Sequence, residues 1–272
     1  MPLLTYIPRR PLADFVQLLW FYESGARAHS RERVLPTATM QMIVSLSDDP
    51  LKVFHTEHDA GATNYGSSVI CGAHSQFSVI DTSQEMSIGV HFRPGGAFPF
   101  LKGSAGELHN SHASLADIFG SEATRLRQRL LEAESPAAKF QTFESFLTLR
   151  LEKPGYMNRV LRFAVKELGR TENPMRVGDV VDRTGLTSRR FIELFTNEVG
   201  LTPKLYFRVQ RFQGIILRLH QDLQIDWAQE AVSCGYYDQS HFNNDFRAFS
   251  GMTPTEYVER KGEYANHILI AD

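Results

Sequence analysis

The apolar pattern changes character along the chain. Over the first 105 residues it runs in short alternating or apolar stretches: FVQLLWFYE (15–23), TMQMIVSL (39–46), SSVICGAH (67–74), SQFSVID (75–81) and MSIGVHF (86–92). Asp48-Asp49-Pro50, Gly61 and Gly95-Gly96 punctuate them. Strands of this length and spacing predict a sandwich or small barrel. Over 113–152 the period becomes helical. Leu126, Leu130 and Leu131 are assigned to one face, and Phe140, Phe143, Leu147 and Leu151 follow a helical stripe. Lys153-Pro154-Gly155 breaks the chain and marks a boundary. From Asn158 the pattern is helical again, with short polar turns. The expected architecture is therefore α+β and multidomain: a β-barrel or sandwich over 1–105, a helical linker or dimerisation region over 106–156, an all-α unit over 157–262 and a tail over 263–272.

The all-α unit contains an internal repeat. GLTSRRFIELFTNEVGLTPKLY (185–206) aligns with GYYDQSHFNNDFRAFSGMTPTEY (235–257). Phe191 and Phe195 match Phe242 and Phe246, Gly200 matches Gly251, Thr202-Pro203 matches Thr253-Pro254, and Tyr206 matches Tyr257. Such regularity implies two copies of one supersecondary unit. Each copy follows an apolar helical stretch, VGDVVDRT or IDWAQEAVSC, and opens on a glycine (Gly185, Gly235) where a tight interhelical turn needs positive φ. Thr187 or Ser188 in the first copy and Asp238 in the second are N-cap candidates. Thr202 and Thr253 are caps with proline at the first helical position, and Thr253 with Glu256 fits a capping box. Each copy thus reads as helix, turn, helix.

The second helix of each copy divides into two faces. Phe191, Leu194 and Phe195 point inward, leaving Arg189, Ile192 and Glu193 on another face; Phe242 and Phe246 point inward, leaving Ser240, His241 and Asn244 outward, with Gln239 at the start. A polar, hydrogen-bonding face of this kind suits the major groove; it equally suits a solvated bundle surface. Two copies joined by a helix with an apolar stripe at Val209, Phe212, Ile216 and Leu219 favour the groove, holding two reading helices roughly 34 Å apart.

Composition changes this picture little. Of 272 residues, 42% are hydrophobic and 22% charged, which excludes a disordered polymer or a small disulfide scaffold. The net charge of -2 announces no nucleic-acid partner; residues 157–262, with 15 basic and 13 acidic side chains, lean weakly positive. The two cysteines, Cys71 and Cys234, fit a reduced compartment and small buried roles. No leader-like or membrane-length apolar run occurs, so a cytoplasmic protein with no membrane partner is expected. His55 and His58, and His109 and His112, are closely spaced, but no His-x-His pair appears, so no metal site is expected. No glycine-rich phosphate loop is present and no cofactor is expected.

Residues 157–262 resemble the AraC/XylS family of transcription regulators, most specifically through GYYDQSHFNNDFRAFSGMTPTEY. The resemblance implies a bipartite helix-turn-helix domain that binds double-stranded DNA, preceded by a ligand or dimerisation domain, in a homodimer that contacts RNA polymerase. Carried over by position, Arg189, Ile192, Glu193, Ser240, His241 and Asn244 face bases, with Ser188, Asp238 and Gln239 beside them. Arg189, Arg190 and Lys204 supply phosphate contacts. Family members often have glutamine and arginine where this chain has Ile192 and Glu193. Ile192 suits a thymine methyl, while Glu193 suits a cytosine amino group but is repelled by phosphates. VLPTATMQMIVSL and IGVHFRPGGAFPFL resemble cupin-like sensor domains, which implies a barrel enclosing an unknown small-molecule effector. Trp20, Tyr22, Met40, Met42, His91 and Arg93 are the candidate lining; Arg93 would select an anion. The expected function is a non-enzymatic, ligand-sensing transcription activator. The alternatives are an orphan regulator controlled by a protein partner, and a cupin-type metalloenzyme fused to a DNA-binding domain.

Overall fold

The computed structural model describes residues 3–23, 31–59, 61–151, 158–170, 175–221 and 238–270. The boundary at 153–155, the helix over 225–234, Cys234 and the Gly235 turn lie outside them. All five apolar runs of the amino-terminal part contain strands. One antiparallel sheet has the order β1 (Leu4–Tyr6), β2 (Val16–Glu23), β9 (Met86–Phe92), β4 (Gln41–Ser45), β7 (Ser68–Cys71), β10 (His112–Ser114). The second has β11 (His267–Ile270), β3 (Arg31–Val34), β8 (Ser78–Asp81), β5 (Lys52–Phe54), β6 (Ala62–Asn64). Both sheets wall one cavity, and β4 alternates across it: Met40, Met42 and Val44 are buried in core while Gln41 and Ile43 face the cavity.

The expected tail is instead an edge strand. Residues 267–270 pair with Arg31–Val34, Ile268 opposite Arg33, and Ile268 is fully buried. A run of three apolar residues, Ile268 to Ile270, opposite an open sheet edge explains the pairing, and burying one isoleucine contributes about 2 kcal/mol.

The helices over 113–152 are α1 (Leu115–Phe119), α2 (Ser121–Glu132) and α3 (Pro136–Arg150), the last capped by Ser135. Their stripes are used within the chain. Leu126, Leu130, Phe140, Phe143 and Leu147 are buried, Tyr6 stacks on Phe140 at 5.5 Å and donates a hydrogen bond to Glu144, and Arg127 holds the carbonyls of Ser45 and Ser47. Leu131 departs from the expected face and is exposed, because it stands about 100° around the helix from Leu130.

The carboxy-terminal unit contains α4 (Arg159–Leu168), α5 (Val177–Thr184), α6 (Ser188–Val199), α7 (Pro203–Gln221), α8 (Gln239–Ser250) and α9 (Pro254–Arg260). Its core is aromatic. Phe195 meets Tyr206, and Phe212 meets Phe246 and Phe249, with ring centroids 5.2–5.4 Å apart. Val209, Phe212, Ile216 and Leu219 of α7 are all buried, as the stripe predicts. The repeat is a repeat of structure too: Gly200 and Gly251 close α6 and α8 with φ of 93° and 70°. Among the described residues no helix is long and apolar enough to cross a membrane.

Candidate DNA interface and ligand cavity

Helix α5 ends at Gly185, whose φ of 71° makes the turn into α6. Thr187, rather than Ser188, caps α6, its hydroxyl accepting from the Arg190 amide. Phe191 and Phe195 are fully buried, so sterics fix the opposite face outward: Ser188, Arg189, Arg190, Ile192 and Glu193 are all exposed. Arg189 Nε donates to Glu193 Oε1 at 3.0 Å and Arg190 lies 3.7 Å from the same carboxylate. These hydrogen bonds and charges hold the Glu193 carboxyl below its ordinary range. The two arginines therefore neutralise Glu193 on the helix itself, while Ile192 stands clear as an exposed apolar tip. Lys204 is exposed on the first turn of α7.

In the second copy Asp238 caps α8, accepting from the His241 amide at 2.7 Å. Phe242 and Phe246 are buried, and Gln239, Ser240, His241 and Asn244 are exposed together. Arg208 of α7 donates to the buried Asp245 at 2.6 Å, locking α8 onto the helix that joins the two copies. Thr253 and Glu256 form the expected capping box.

The far ends of α6 and α8 rest on the barrel. A Cβ on Gly200 would stand 3.2 Å from Ala73 Cβ and from the Ala105 carbonyl oxygen. A Cβ on Gly251 would stand 2.4 Å from the Phe77 ring and 3.0 Å from Arg33. Arg33 is buried; it pairs with Glu57, packs its guanidinium 4.3 Å from the Phe77 ring centre, and donates to the Ser250 carbonyl at 2.5 Å.

The barrel cavity measures about 460 Å³. Trp20, Tyr22 and His91 line it as expected. Met40 and Met42 do not, because the register turns them to the other face of β4. Arg93 does not either: it lies past the end of β9, exposed, donating to the Ala13 carbonyl at 2.9 Å. Residues outside the expected set complete the wall, among them Glu32, Gln41, His74, Asp81, His112 and the 264–267 segment. Gln41, a polar residue opening the apolar run Met42-Ile43-Val44, is the signal for this face; nothing in the sequence signals 264–267. Burial depresses His74 to about 3, and His91 and His112 to about 4, so these imidazoles are neutral at pH 7. Burial also pushes the Cys71 thiol up to about 12. Among the described residues no three His, Cys, Asp or Glu side chains gather as a metal site.

Two domain families match the chain. Residues 180–260 match a family described as a helix-turn-helix domain, and residues 4–114 match a domain of unknown function, DUF6597. The probable transcriptional regulator LumQ of Photobacterium leiognathi is 35% identical over 72 residues, 26% of this chain and 29% of LumQ. The regulator GadX of Escherichia coli K12 is 58% identical over 33 residues, 12% of each chain. The chain thus spans under a third of the length of the curated relatives it matches. ToxT of Vibrio cholerae O395, in complex with (E)-4-(8-methylnaphthalen-1-yl)but-3-enoic acid, aligns over 89% of this chain and 98% of its own with 13% identity and a TM-score of 0.46. Unsaturated fatty acid bound ToxT of strain SCE256 aligns over 88% and 94% with 14% identity and a TM-score of 0.44. Residues 180–260 of this chain are a helix-turn-helix domain.

Proposed function

We propose that the protein is a sequence-specific DNA-binding transcription regulator, an activator, whose amino-terminal barrel senses a small molecule. One observation carries the reading. Two copies of a helix-turn-helix unit each bury their phenylalanines and turn a polar face outward, Arg189, Ile192 and Glu193 in one and Ser240, His241 and Asn244 in the other. Arg189, Arg190 and Lys204 are assigned to phosphates, the other outward residues to base edges. Sensing is assigned to 1–105, the helices of 106–156 buttress the barrel, DNA binding is assigned to 157–262, and 263–272 belongs with the barrel. The cavity favours a sensor over an orphan regulator. A cytoplasmic homodimer touching RNA polymerase rests on the family resemblance.

Selection from a random duplex library at fixed salt tests the DNA assignment. Two enriched elements about one helical turn apart are expected from bipartite reading by one chain. Enrichment of one element means the Ile192–Glu193 helix is nearly silent. No enrichment with the full chain, nor with residues 157–272, overturns the reading.

A further inference from the structure

The floor of the cavity is built from two rows of side chains that run across the first sheet. Residues directly opposite each other in an antiparallel pair point to the same face. His91 of β9 pairs with Gln41 of β4, Gln41 with Cys71 of β7, and Cys71 with His112 of β10. All four line the cavity, so they form one row over four strands, roughly 14 Å from end to end. A second row runs two residues along the strands, roughly 7 Å away. There Trp20 of β2 lies over Gly89 of β9, followed by Ile43 and Val69. A Cβ on Gly89 would stand 2.4 Å from the indole, so glycine is what lets the ring lie there. The first row is polar and the second is apolar.

The polar row carries no charge. Burial keeps His91 and His112 neutral at pH 7, Cys71 stays a thiol, and the Gln41 carboxamide does not ionise. All four side chains are only half-buried. Among the described residues no hydrogen bond engages the Gln41 amide or the His91 and His112 rings, and their polar atoms stay open to the cavity. The Gln41 carboxamide there offers an N–H donor and a carbonyl acceptor side by side. Covering it with an apolar group leaves its desolvation uncompensated, so a ligand edge that both donates and accepts is favoured. The charges elsewhere on the wall are matched. Among the described residues the charged wall groups besides histidine are Glu32, Lys52 and Asp81. Glu32 Oε2 lies 2.7 Å from His267 Nδ1, and Lys52 lies 3.4 Å from Asp81. Arg93 stands outside the cavity, so a ligand carboxylate or phosphate meets no spare cation. Both wall carboxylates are engaged, so a ligand cation meets no spare counter-ion.

We propose that the cavity takes an uncharged amphipathic molecule. Its apolar body lies on Trp20, Ile43 and Val69, and its polar edge, a carboxamide-type donor and acceptor, lies on Gln41 between His91 and His112. The inference rests on the barrel being a sensor.

The test uses biphenyl-4-carboxamide, which joins apolar rings to a planar donor and acceptor. Its comparators keep the shape and replace the carboxamide by carboxylate, by amidinium or by isopropenyl. Calorimetry with the full-length protein gives the four affinities. The carboxamide is expected to bind, the isopropenyl compound about tenfold more weakly, and the two charged compounds at least roughly tenfold more weakly. Gln41→Met, unbranched and apolar, should lower carboxamide affinity to that of the isopropenyl compound and leave the isopropenyl affinity in place. In ¹⁵N-labelled protein the Gln41 side-chain amide signals, identified by their loss in Gln41→Met, should move with the carboxamide. Equal or tighter binding of either charged compound overturns the proposal, and this order in the unaltered protein needs no variant to fold. So does a Gln41→Met protein that binds the carboxamide as before, carboxamide binding that leaves the Gln41 signals in place, or no binding by any compound. The duplex selection separates the two readings: an enriched site with no compound bound removes the ligand class alone, whereas no enriched site removes the DNA assignment whatever the compounds do.

Discussion

Gly185 and Gly251 provide a matched pair for measuring how firmly the second reading helix is seated on the barrel. Their φ values are 71° and 70°, so alanine meets the same left-handed strain at both, about 1–2 kcal/mol. Their surroundings differ. Among the described residues nothing lies within 4 Å of a Cβ on Gly185, whereas a Cβ on Gly251 stands 2.4 Å from Phe77 Cε1 and 3.0 Å from Arg33 Nη1. Neither neighbour yields freely. Phe77 lies against the Arg33 guanidinium, and Arg33 is buried and fixed by Glu57 and the Ser250 carbonyl. Forcing a methyl into such a contact typically costs about 1–3 kcal/mol more. Gly251→Ala should therefore destabilise by about 2–5 kcal/mol against about 1–2 for Gly185→Ala, measured as shifts of the urea midpoint at common slope. Phe77→Ala removes the tighter of the two contacts and leaves Arg33, so in a double-mutant cycle it should recover most of the excess at Gly251 and none of the loss at Gly185. Equal losses at the two glycines, or no coupling between Phe77 and Gly251, would refute the seating of α8 on the barrel.

Other expectations follow from the same contacts. Glu193→Gln should tighten binding to all duplexes and steepen the salt dependence, because it removes a negative charge and releases Arg189 and Arg190; unchanged affinity at low salt would place α6 away from the backbone. His241→Ala and Asn244→Ala should each weaken a selected site by roughly 1–3 kcal/mol and relax preference at one position, whereas Lys204→Ala should weaken all sequences alike; unchanged selectivity in His241→Ala would remove that residue from readout. His74, His91 and His112 are held neutral down to about 3, 4 and 4, while in the unfolded chain they protonate near 6.5. Between those values the unfolded state binds more protons. Stability is thus full above pH 6.5 and falls as pH drops toward 4, by up to about 1.4 kcal/mol per pH unit for each histidine. A melting temperature flat from pH 7 to 4.5 would contradict their burial, and His91→Gln should flatten the curve.

The sequence was most legible where one face of an element is wholly apolar. The phenylalanine spacings of α6 and α8 and the stripe of α7 determine which side is buried, and the outward residues follow by subtraction. It was least legible where both faces are closed. Every residue of β4 is at least half-buried, so alternation alone does not say which parity faces core and which faces cavity; the purely apolar Met40-Met42-Val44 set fills the core and Gln41 marks the cavity. Arg93 follows directly after β9, and its position depends on how the chain leaves the strand, which no period encodes. The role of 264–270 is a long-range pairing with β3, and nothing local to those residues announces a partner more than 200 positions away.

That pairing and the strand alternation together place the cavity one strand's thickness from both reading helices. On β3, Glu32 and Val34 line the cavity, while Arg33 between them reaches the Ser250 carbonyl at the end of α8. After β7, Gly72 and His74 line the cavity, while Ala73 between them lies against Gly200 at the end of α6. β11 follows α9 after six residues, and its lead-in both lines the cavity and accepts a hydrogen bond from Tyr257 through the Ala265 carbonyl. A ligand alters an equilibrium only through contacts that differ between two states. Under the proposed reading, a shift of either wall segment would act directly on the end of α6 or α8. The hydrogen bond from Arg33 to Ser250 is charge-assisted, a class worth about 1.5–3 kcal/mol. That is the size of a typical coupling free energy between sites; if the protein senses and binds DNA as proposed, losing this contact in one state only would change DNA affinity roughly tenfold or more.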